Sequence, residues 1–106
     1  MSAYVVVDID VHDHSGYEQY KKAVNPSIEA YGGRYLVRGG HVETLEGNWT
    51  PRRFVLVEFP DADRAKAWWG SPEYAEPKAL RQATARTEMI LVEGVSPPGV
   101  SVAARC

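Results

Sequence analysis

Two segments of the chain carry apolar side chains on both faces of a strand, and this constrains the fold more than any other feature. In residues 4–11, alternate positions form one apolar row, and half of the intervening residues are apolar as well. Residues 53–59 repeat the pattern, because Phe54 and Leu56 lie between the members of a second apolar row. A strand with one face in water alternates apolar and polar residues. Both faces of the predicted sheet therefore need a cover.

Length and charge set the class of protein. The 106 residues suffice for one hydrophobic core, so we expect one domain over residues 1–95 and a flexible or partner-draped tail over residues 96–106. The net charge of -2 argues against nucleic acid or an anionic membrane as a partner. Cys106 is the only cysteine, and no signal peptide or membrane-spanning segment is recognised, which predicts a cytoplasmic protein.

The order of predicted elements is strand, helix, strand, strand, helix, strand. Ser15 followed by Glu18 has the spacing of a capping box and predicts the start of the first helix. Asp61 predicts a second helix, and Ser71 followed by proline predicts a short third one. We expect Pro77 to interrupt or restart that last helix.

Two right-handed strand-helix-strand crossovers joined by a hairpin interleave into one four-stranded antiparallel sheet with the helices on one face. The predicted fold is therefore α+β and ferredoxin-like, with the order βαββαβ. The most continuously apolar strands, the first and third, belong in the centre. Eight apolar residues are expected to share the helix-free face: Tyr4, Val6, Tyr35, Val37, Phe54, Leu56, Met89 and Leu91.

That face provides the argument for self-association. Complete burial of each such side chain is worth about 1.5 to 3 kcal/mol, whereas a small domain has a net stability of only about 5 to 15 kcal/mol. A twofold needs only one self-complementary surface, so a second copy is the simplest cover. The sequence thus predicts a homodimer formed through the helix-free face, an α/β barrel that encloses a cavity for a small-molecule ligand.

Four segments of the chain also resemble a known family, the domain of unknown function 1330, over residues 3–95. The resemblance implies a ferredoxin-like protomer of the dimeric α/β-barrel superfamily. That superfamily includes cofactor-free monooxygenases, lactone isomerases, polyketide cyclases and haem-binding relatives, so it implies a scaffold and not a reaction. The segments that carry the resemblance are residues 33–40, 45–53, 57–60 and 68–74.

Four carboxylates have the same strand parity as Tyr4 and are expected on the helix-free face: Asp8, Asp10, Glu58 and Glu93. A carboxylate in an apolar cavity has a raised pKa and can act as a general base or acid near neutrality. Glu58 and Asp10 are the catalytic candidates. The alternative is that these groups form hydrogen bonds across the interface or lie at its rim.

Arg38, Arg53 and His41 are predicted at the same end of the sheet as Asp10. Glu58 and Glu93 are expected at the opposite end, near Tyr4. Arg38 and Arg53 could clamp a carboxylate or an enolate oxygen, with Arg38 placed in the catalytic set and Arg53 in the substrate-binding set. His41 could transfer a proton. The structural alternatives are an ordinary ion pair between one arginine and Asp10, and a solvated histidine.

Aromatic residues are the candidates for the walls of a pocket. Trp49, Tyr74 and Tyr4 complete the predicted substrate-binding set, since flat apolar ligands pack on such rings. His12 and His14 lie in a polar connection without a third ligand at a defined spacing, so we expect no metal site. No phosphate-binding glycine motif is found, and we expect no cofactor.

Two functions remain open. The first is a cofactor-independent enzyme that uses acid–base chemistry, as an isomerase, cyclase or monooxygenase does, on a small carbonyl, lactone or aromatic metabolite. The second is a non-catalytic dimer, either stress-associated or binding a small hydrophobic acid. A catalyst should present a carboxylate of raised pKa to an arginine or histidine in a closed pocket, whereas in a binding protein those groups can be paired with each other.

Overall fold

The computed structural model describes residues 2–95, and the predicted tail at residues 96–106 lies outside them. None of the helices in this part of the chain has the length and hydropathy needed to cross a bilayer. The elements in chain order are β1 (Ala3–Val11), α1 (His14–Ala30), β2 (Arg34–Arg38), β3 (Phe54–Phe59), α2 (Ala62–Trp69), α3 (Pro72–Thr84) and β4 (Ala85–Glu93).

The four strands form one antiparallel sheet in the order β2-β3-β1-β4. This is the predicted ferredoxin-like α+β arrangement, with β1 and β3 in the centre. The helices cover one face of these two central strands and explain the apolar row on that side, whereas the apolar row on the other side has no helix of residues 2–95 over it.

The ends of the helices follow local capping chemistry. Asp13 caps α1 by accepting a hydrogen bond of 3.2 Å from a backbone N–H three residues further on, so the predicted cap at Ser15 was wrong. Asp61 and Ser71 cap α2 and α3, as predicted. The expected break at Pro77 was also wrong, because α3 runs through it to Thr84.

The hydrophobic core lies between the sheet and the helices. The helix-facing rows of β1 and β3 supply Val5, Val7, Ile9, Val55, Val57 and Phe59. The helices supply Tyr17, Tyr20, Val24, Ile28, Ala65, Trp68 and Tyr74. All three helices of residues 2–95 pack on this side, and none of them lies over the opposite face of the sheet.

We call this opposite side the helix-free face. Five of the apolar residues predicted for it lie there: Tyr4, Val6, Val37, Phe54 and Leu56. β4 adds Ile90 and Val92, which are 60% and 43% exposed. Within residues 2–95 only the residues between β2 and β3 lie on this surface, at the end near Asp8, so a broad apolar area beyond them is left in contact with solvent.

Four residues predicted for the helix-free face lie on the other side. In β4, Met89 and Leu91 pair with the buried Val7 and Val5, so both point toward the helices. Glu93 pairs with Ala3 and shares that side, at the end of the strand.

Tyr35 is the fourth, because it pairs with Val57 before the register of β2 shifts between Tyr35 and Val37. This shift is typical of a bulge, which puts Val37 opposite Leu56 and returns it to the helix-free face.

Candidate functional site

Glu58 lies on the helix-free face in an ion pair. The Nε of Arg34 donates a hydrogen bond of 2.7 Å to Glu58 Oε1. The Glu58 side chain is only 18% exposed, and the hydrogen bond from Arg34 lowers its pKa below the usual range. Glu58 is therefore a carboxylate already bound to a cation, the opposite of the raised pKa expected of a catalytic acid or base in this position.

Asp8 and Asp10 are engaged with the connection between β2 and β3. Asp8 accepts two hydrogen bonds of 3.0 Å, one from the indole Nε1 of Trp49 and one from the backbone N–H of Arg52. The carboxylate of Asp10 lies 3.7 Å from Arg52 Nη1. These contacts hold the residues before β3 against the helix-free face, so both aspartates have structural partners.

Glu58 and Asp10 are at opposite ends of this face. Glu58 pairs with Tyr4, and Asp10 is six residues further along β1. At about 3.3 Å per residue, the two positions are separated by about 20 Å along the strand. Glu58 and Asp10 thus lie at opposite ends of the sheet, as predicted. Within one protomer these two carboxylates do not belong to one site.

Arg38 and Arg53 lie on the helix-facing side and border one groove against α1. Arg38 pairs with Val55, and its Nη2 donates a hydrogen bond of 2.7 Å to the backbone oxygen of Lys21. The guanidinium of Arg53 lies 5.6 Å from the ring centre of Tyr17. The two arginines are neighbours, as predicted, but the sheet separates them from Glu58.

The remaining predicted site residues are scattered. His41 is exposed in the connection after β2, and Tyr74 is 0% exposed in the core. Trp49 is 61% exposed at the Asp8 end of the helix-free face, whereas Tyr4 is half-buried beside Glu58. The structure brings Tyr4 to Glu58 and Trp49 to Asp8, but it does not bring the predicted acid–base set together.

A cavity of about 420 Å³ lies elsewhere, between the sheet and the two later helices. We call it the helix–sheet cavity. Its walls come from β1, α2, α3 and β4, and they include Val5, Trp68, Trp69, Arg81, Met89 and Leu91. Thr87 and Lys66 also border it.

One aromatic wall of this cavity is held rigidly. Trp68 is 2% exposed, and its Nε1 donates a hydrogen bond of 3.1 Å to Ser27 Oγ. The indole lies against the ring of Tyr74, with 4.1 Å between the ring centres. Trp69 is 49% exposed, and the ammonium of Lys78 lies 3.8 Å from its ring centre. The cavity therefore has one fixed aromatic side and one at the solvent boundary.

Arg81 brings a buried positive charge to the cavity. It is 5% exposed, and its Nε donates a hydrogen bond of 3.2 Å to the hydroxyl of Tyr74. The Tyr74 and Tyr20 hydroxyls share a hydrogen bond of 3.4 Å. Burial raises the pKa of Tyr20, so this phenol stays neutral and does not balance the charge. Among residues 2–95, no carboxylate forms an ion pair with Arg81.

Thr87 adds an unused hydroxyl to the same cavity. Its Oγ1 is buried and has no hydrogen-bond partner among the residues that the structure describes. A buried polar atom is almost always hydrogen-bonded, so each exception needs an explanation, of which a role in a functional site is one. Elsewhere in the described chain, no three His, Cys, Asp or Glu side chains converge as a metal site would require.

Sequence reasoning missed this cavity. A signal was present in α3, where Tyr74, Pro77, Arg81 and Thr84 form a buried row at helical spacing. A cation inside such a row needs a partner in the folded state. The row was not recognised because the helix was expected to break at Pro77.

The fold and the two candidate regions define a small ferredoxin-like α+β protein with one open sheet face. Residues 2–95 match the sequence profile of the family described as "Domain of unknown function (DUF1330)", and the chain belongs to that family. This confirms the resemblance found in the sequence. Among curated proteins, no significant match was found.

Solved structures with the same fold include proteins of different descriptions. A protein of unknown function from Rhodopseudomonas palustris is 17% identical with a TM-score of 0.74, over 91% of this chain and 84% of the other. SnoaB from Streptomyces nogalater, a cofactor-independent oxygenase, is 12% identical with a TM-score of 0.61, over 93% and 98%. A dimeric ferredoxin-like protein of unknown function from a Jannaschia species is 13% identical with a TM-score of 0.61, over 89% and 100%. At these identities the likeness establishes the fold alone.

Proposed function

We propose that the protein is a homodimer that binds a small, largely apolar molecule in the helix–sheet cavity of each protomer. The observation that carries the proposal is the cavity itself, with its fixed Trp68 wall and its few polar groups. Ligand sites are typically concave, span about 300 to 1,000 Å³ and combine apolar walls with a small number of polar anchors. The helix–sheet cavity meets each of these conditions.

The homodimer is supported by the helix-free face. The central strands present Val6 and Leu56 there, and the edge strand adds Ile90. A monomer rarely exposes a continuous apolar surface of this kind. Similar folds from a Jannaschia species and from Bacteroides fragilis are described as dimeric, which favours a second copy as the cover.

The two candidate carboxylates on the helix-free face are already paired with arginines, which favours binding over acid–base catalysis. Glu58 is paired with Arg34, and Asp10 with Arg52. Neither carboxylate borders the helix–sheet cavity, and no Asp or Glu of the described residues does. A proton-transfer mechanism needs a base within hydrogen-bond reach of the ligand.

A second candidate is a cofactor-independent enzyme with Glu58 as the base. It is favoured by the position of Glu58 beside Tyr4 on a face that a partner would cover, and by the same fold in a cofactor-independent oxygenase. Asp10 and His41 would then need to enter the site from the partner protomer, whereas Arg38 lies on the helix-facing side of the sheet and would need to change its side. If Glu58 is the base, Glu58→Gln stops turnover of a substrate and leaves its affinity unchanged; unchanged turnover contradicts this role.

Two measurements test the main proposal separately. Light scattering at micromolar concentration should give twice the chain mass of 11.8 kDa. A mass of one chain would overturn the homodimer. Nuclear magnetic resonance titration with naphthalene-2-carboxamide, a flat neutral probe, should shift the signals of Trp68 and Met89 saturably. The absence of saturable shifts with this probe and with naphthalene-2-carboxylate would overturn the ligand site.

A blocking variant checks the location. Met89→Trp should fill part of the cavity and abolish binding of the naphthalene probes, whereas Met89→Leu keeps the volume and should keep binding. Circular dichroism should confirm that both variants are folded. Binding to Met89→Trp with the affinity of the unmodified chain would place the probe elsewhere.

A further inference from the structure

The ligand of the helix–sheet cavity can be specified further from the charge on its wall. We infer that it carries a carboxylate or similar anionic group, which Arg81 and Thr87 bind while its apolar body packs on Trp68 and Met89. This inference rests on the proposed function of the cavity. It adds the chemical class of the ligand, an amphipathic organic anion.

Arg81 is a buried cation without an acidic partner among the described residues. Its guanidinium is a positively charged group with five N–H donors. In residues 2–95 its one hydrogen-bond acceptor is the hydroxyl of Tyr74, at 3.2 Å, although the residue is only 5% exposed. A buried charge without an ion partner is costly, and an anion supplied by a ligand would relieve that cost.

The hydroxyl of Thr87 is a second, independent indication of an anionic ligand. Among the described residues Thr87 Oγ1 is buried without a partner, and Thr87 is one of the residues that border the same cavity as Arg81. A hydroxyl can donate a hydrogen bond to a carboxylate oxygen, and bonds to ionised groups are shorter and stronger than neutral ones. Two donors of different types therefore converge on one cavity, and neither has an acidic partner there.

The other residues that border the cavity also favour an anionic ligand. Lys66, which borders the cavity at its exposed side, adds a second positive charge, whereas no Asp or Glu of the described chain borders it. Apart from these groups and the neutral side chain of Gln82, the wall is apolar or aromatic. A cavity of this composition favours a negative group at one end of an apolar molecule and disfavours a cation.

A matched pair of probes tests the inference. Naphthalene-2-carboxylate and naphthalene-2-carboxamide have nearly the same shape and differ in charge. We expect the carboxylate to bind the full chain about 10- to 100-fold more tightly, which is the usual value of hydrogen bonds to a charged group. Equal affinities would overturn the inference and leave the ligand site intact, whereas no binding of either probe would overturn the proposed function itself.

Variants identify the groups responsible. Arg81→Gln should remove most of the preference for the carboxylate and change the affinity for the carboxamide by about twofold or less. Thr87→Val should weaken carboxylate binding about fivefold without removing any hydrogen bond of the unbound protein. If Arg81→Gln does not fold, Arg81→Lys provides the readout, because it keeps the charge but loses the planar fork and should reduce the preference.

Lys66→Gln is the matched control. It also removes one positive charge, but from an exposed side chain, and should change the preference by about twofold or less. A loss as large as that of Arg81→Gln would show that the general positive potential, rather than Arg81, selects the ligand, and would overturn the assignment. Retention of the full preference in both Arg81→Gln and Thr87→Val would also overturn it.

Discussion

The indole Nε1 of Trp49 donates a hydrogen bond of 3.0 Å to Asp8 Oδ2 across 41 residues of sequence. The second oxygen of the same carboxylate accepts a hydrogen bond of 3.0 Å from the backbone N–H of Arg52. Asp8 thus joins the centre of the sheet to the long connection between β2 and β3. The Trp49 ring also contacts Phe54, with 6.4 Å between the ring centres, so the connection lies on the helix-free face.

Asp8 should therefore stabilise this connection. Asp8→Ala is expected to lower the free energy of unfolding by about 1 to 2 kcal/mol, because two hydrogen bonds to a carboxylate are lost at a partly exposed position. Urea unfolding followed by circular dichroism measures the change, and limited proteolysis should show faster cleavage within residues 39–53. Trp49→Phe removes only the indole donor and should have a smaller effect. Equal stability of Asp8→Ala and the unmodified chain would contradict the anchoring role.

The ion pair of Glu58 with Arg34 predicts a dependence of stability on pH. The pKa of Glu58 is lowered in the folded state from its ordinary value of 4.5, mainly by the hydrogen bond from Arg34. A lowered pKa contributes stability that is present above the unfolded value and is lost as pH falls through the folded value. The free energy of unfolding of the unmodified chain should therefore exceed that of Glu58→Gln near neutrality, and the difference should shrink as the pH is lowered.

Urea unfolding at several values between about pH 6 and about pH 3 checks this prediction. Arg34→Gln provides the control, because it removes the partner and should reduce the same pH-dependent difference. A difference between the unmodified chain and Glu58→Gln that stays constant over this range would show that the pair does not set the pKa.

The fold could be predicted from the sequence wherever the pattern of apolar residues allowed only one physical interpretation. In β1 the row of Val5, Val7 and Ile9 cannot face water, and this fixed which side of the strand faces the helices. In β4 both alternating sets contain apolar residues, so parity was a poor guide there, and the expected placement of Met89 and Leu91 on the helix-free face was wrong. The structure puts Met89 on the helix side and Ile90 on the other because β4 begins at Ala85, opposite Val11.

The candidate site was less predictable because it depends on which face each side chain occupies. Strand parity can place Glu58 on the helix-free face, but the register shift in β2 and the end of the connection decide where Arg38 and Arg53 point. A shift of one residue in register exchanges the two faces. Arg81 and its hydrogen-bond partner Tyr74 lie on one row of α3, but the burial of that row depends on the packing of α3 against α1, which no local pattern specifies.

Val6 provides a test of the proposed dimer. It lies on the central strand, opposite Leu56 and Ile90, so a second sheet stacked on this face would bury it. Val6→Lys should raise the dissociation constant of the dimer about 100-fold or more, because a charge without a partner would be buried in the interface. Light scattering should then give the mass of one chain.

The control for this variant is Ala23→Lys, which places the same charge on the exposed side of α1. It should leave the mass of the dimer unchanged. A dimer that is equally stable in both variants would mean that the helix-free face is not the interface.

Tyr74 should matter for stability because it links two buried groups. Its hydroxyl accepts the hydrogen bond from Arg81 and shares another with Tyr20. Tyr74→Phe is expected to lower the free energy of unfolding by about 1 to 3 kcal/mol, since the buried Arg81 Nε loses its acceptor. Tyr20→Phe leaves that acceptor in place and should cost less. Urea unfolding gives both values, and an equal or larger loss for Tyr20→Phe would contradict this ordering.

Thr84 and Thr87 form a matched pair with opposite expected effects. Thr84 Oγ1 donates a hydrogen bond of 2.8 Å to the backbone oxygen of Leu80, whereas Thr87 Oγ1 is buried without a partner among the described residues. Valine has nearly the same shape as threonine and lacks the hydroxyl. Thr87→Val should therefore raise the free energy of unfolding of the ligand-free protein by about 1 kcal/mol, because a buried polar group without a hydrogen bond is removed.

Thr84→Val should lower the free energy of unfolding by about 1 kcal/mol, because a satisfied hydroxyl is lost. Both values come from urea unfolding of the ligand-free chain under one set of conditions. The opposite signs matter more than the magnitudes, since the two substitutions change side-chain volume and β-branching equally. If Thr87→Val destabilises the protein as much as Thr84→Val does, the Thr87 hydroxyl is already hydrogen-bonded in the ligand-free state and is not free to bind an anionic group in the cavity.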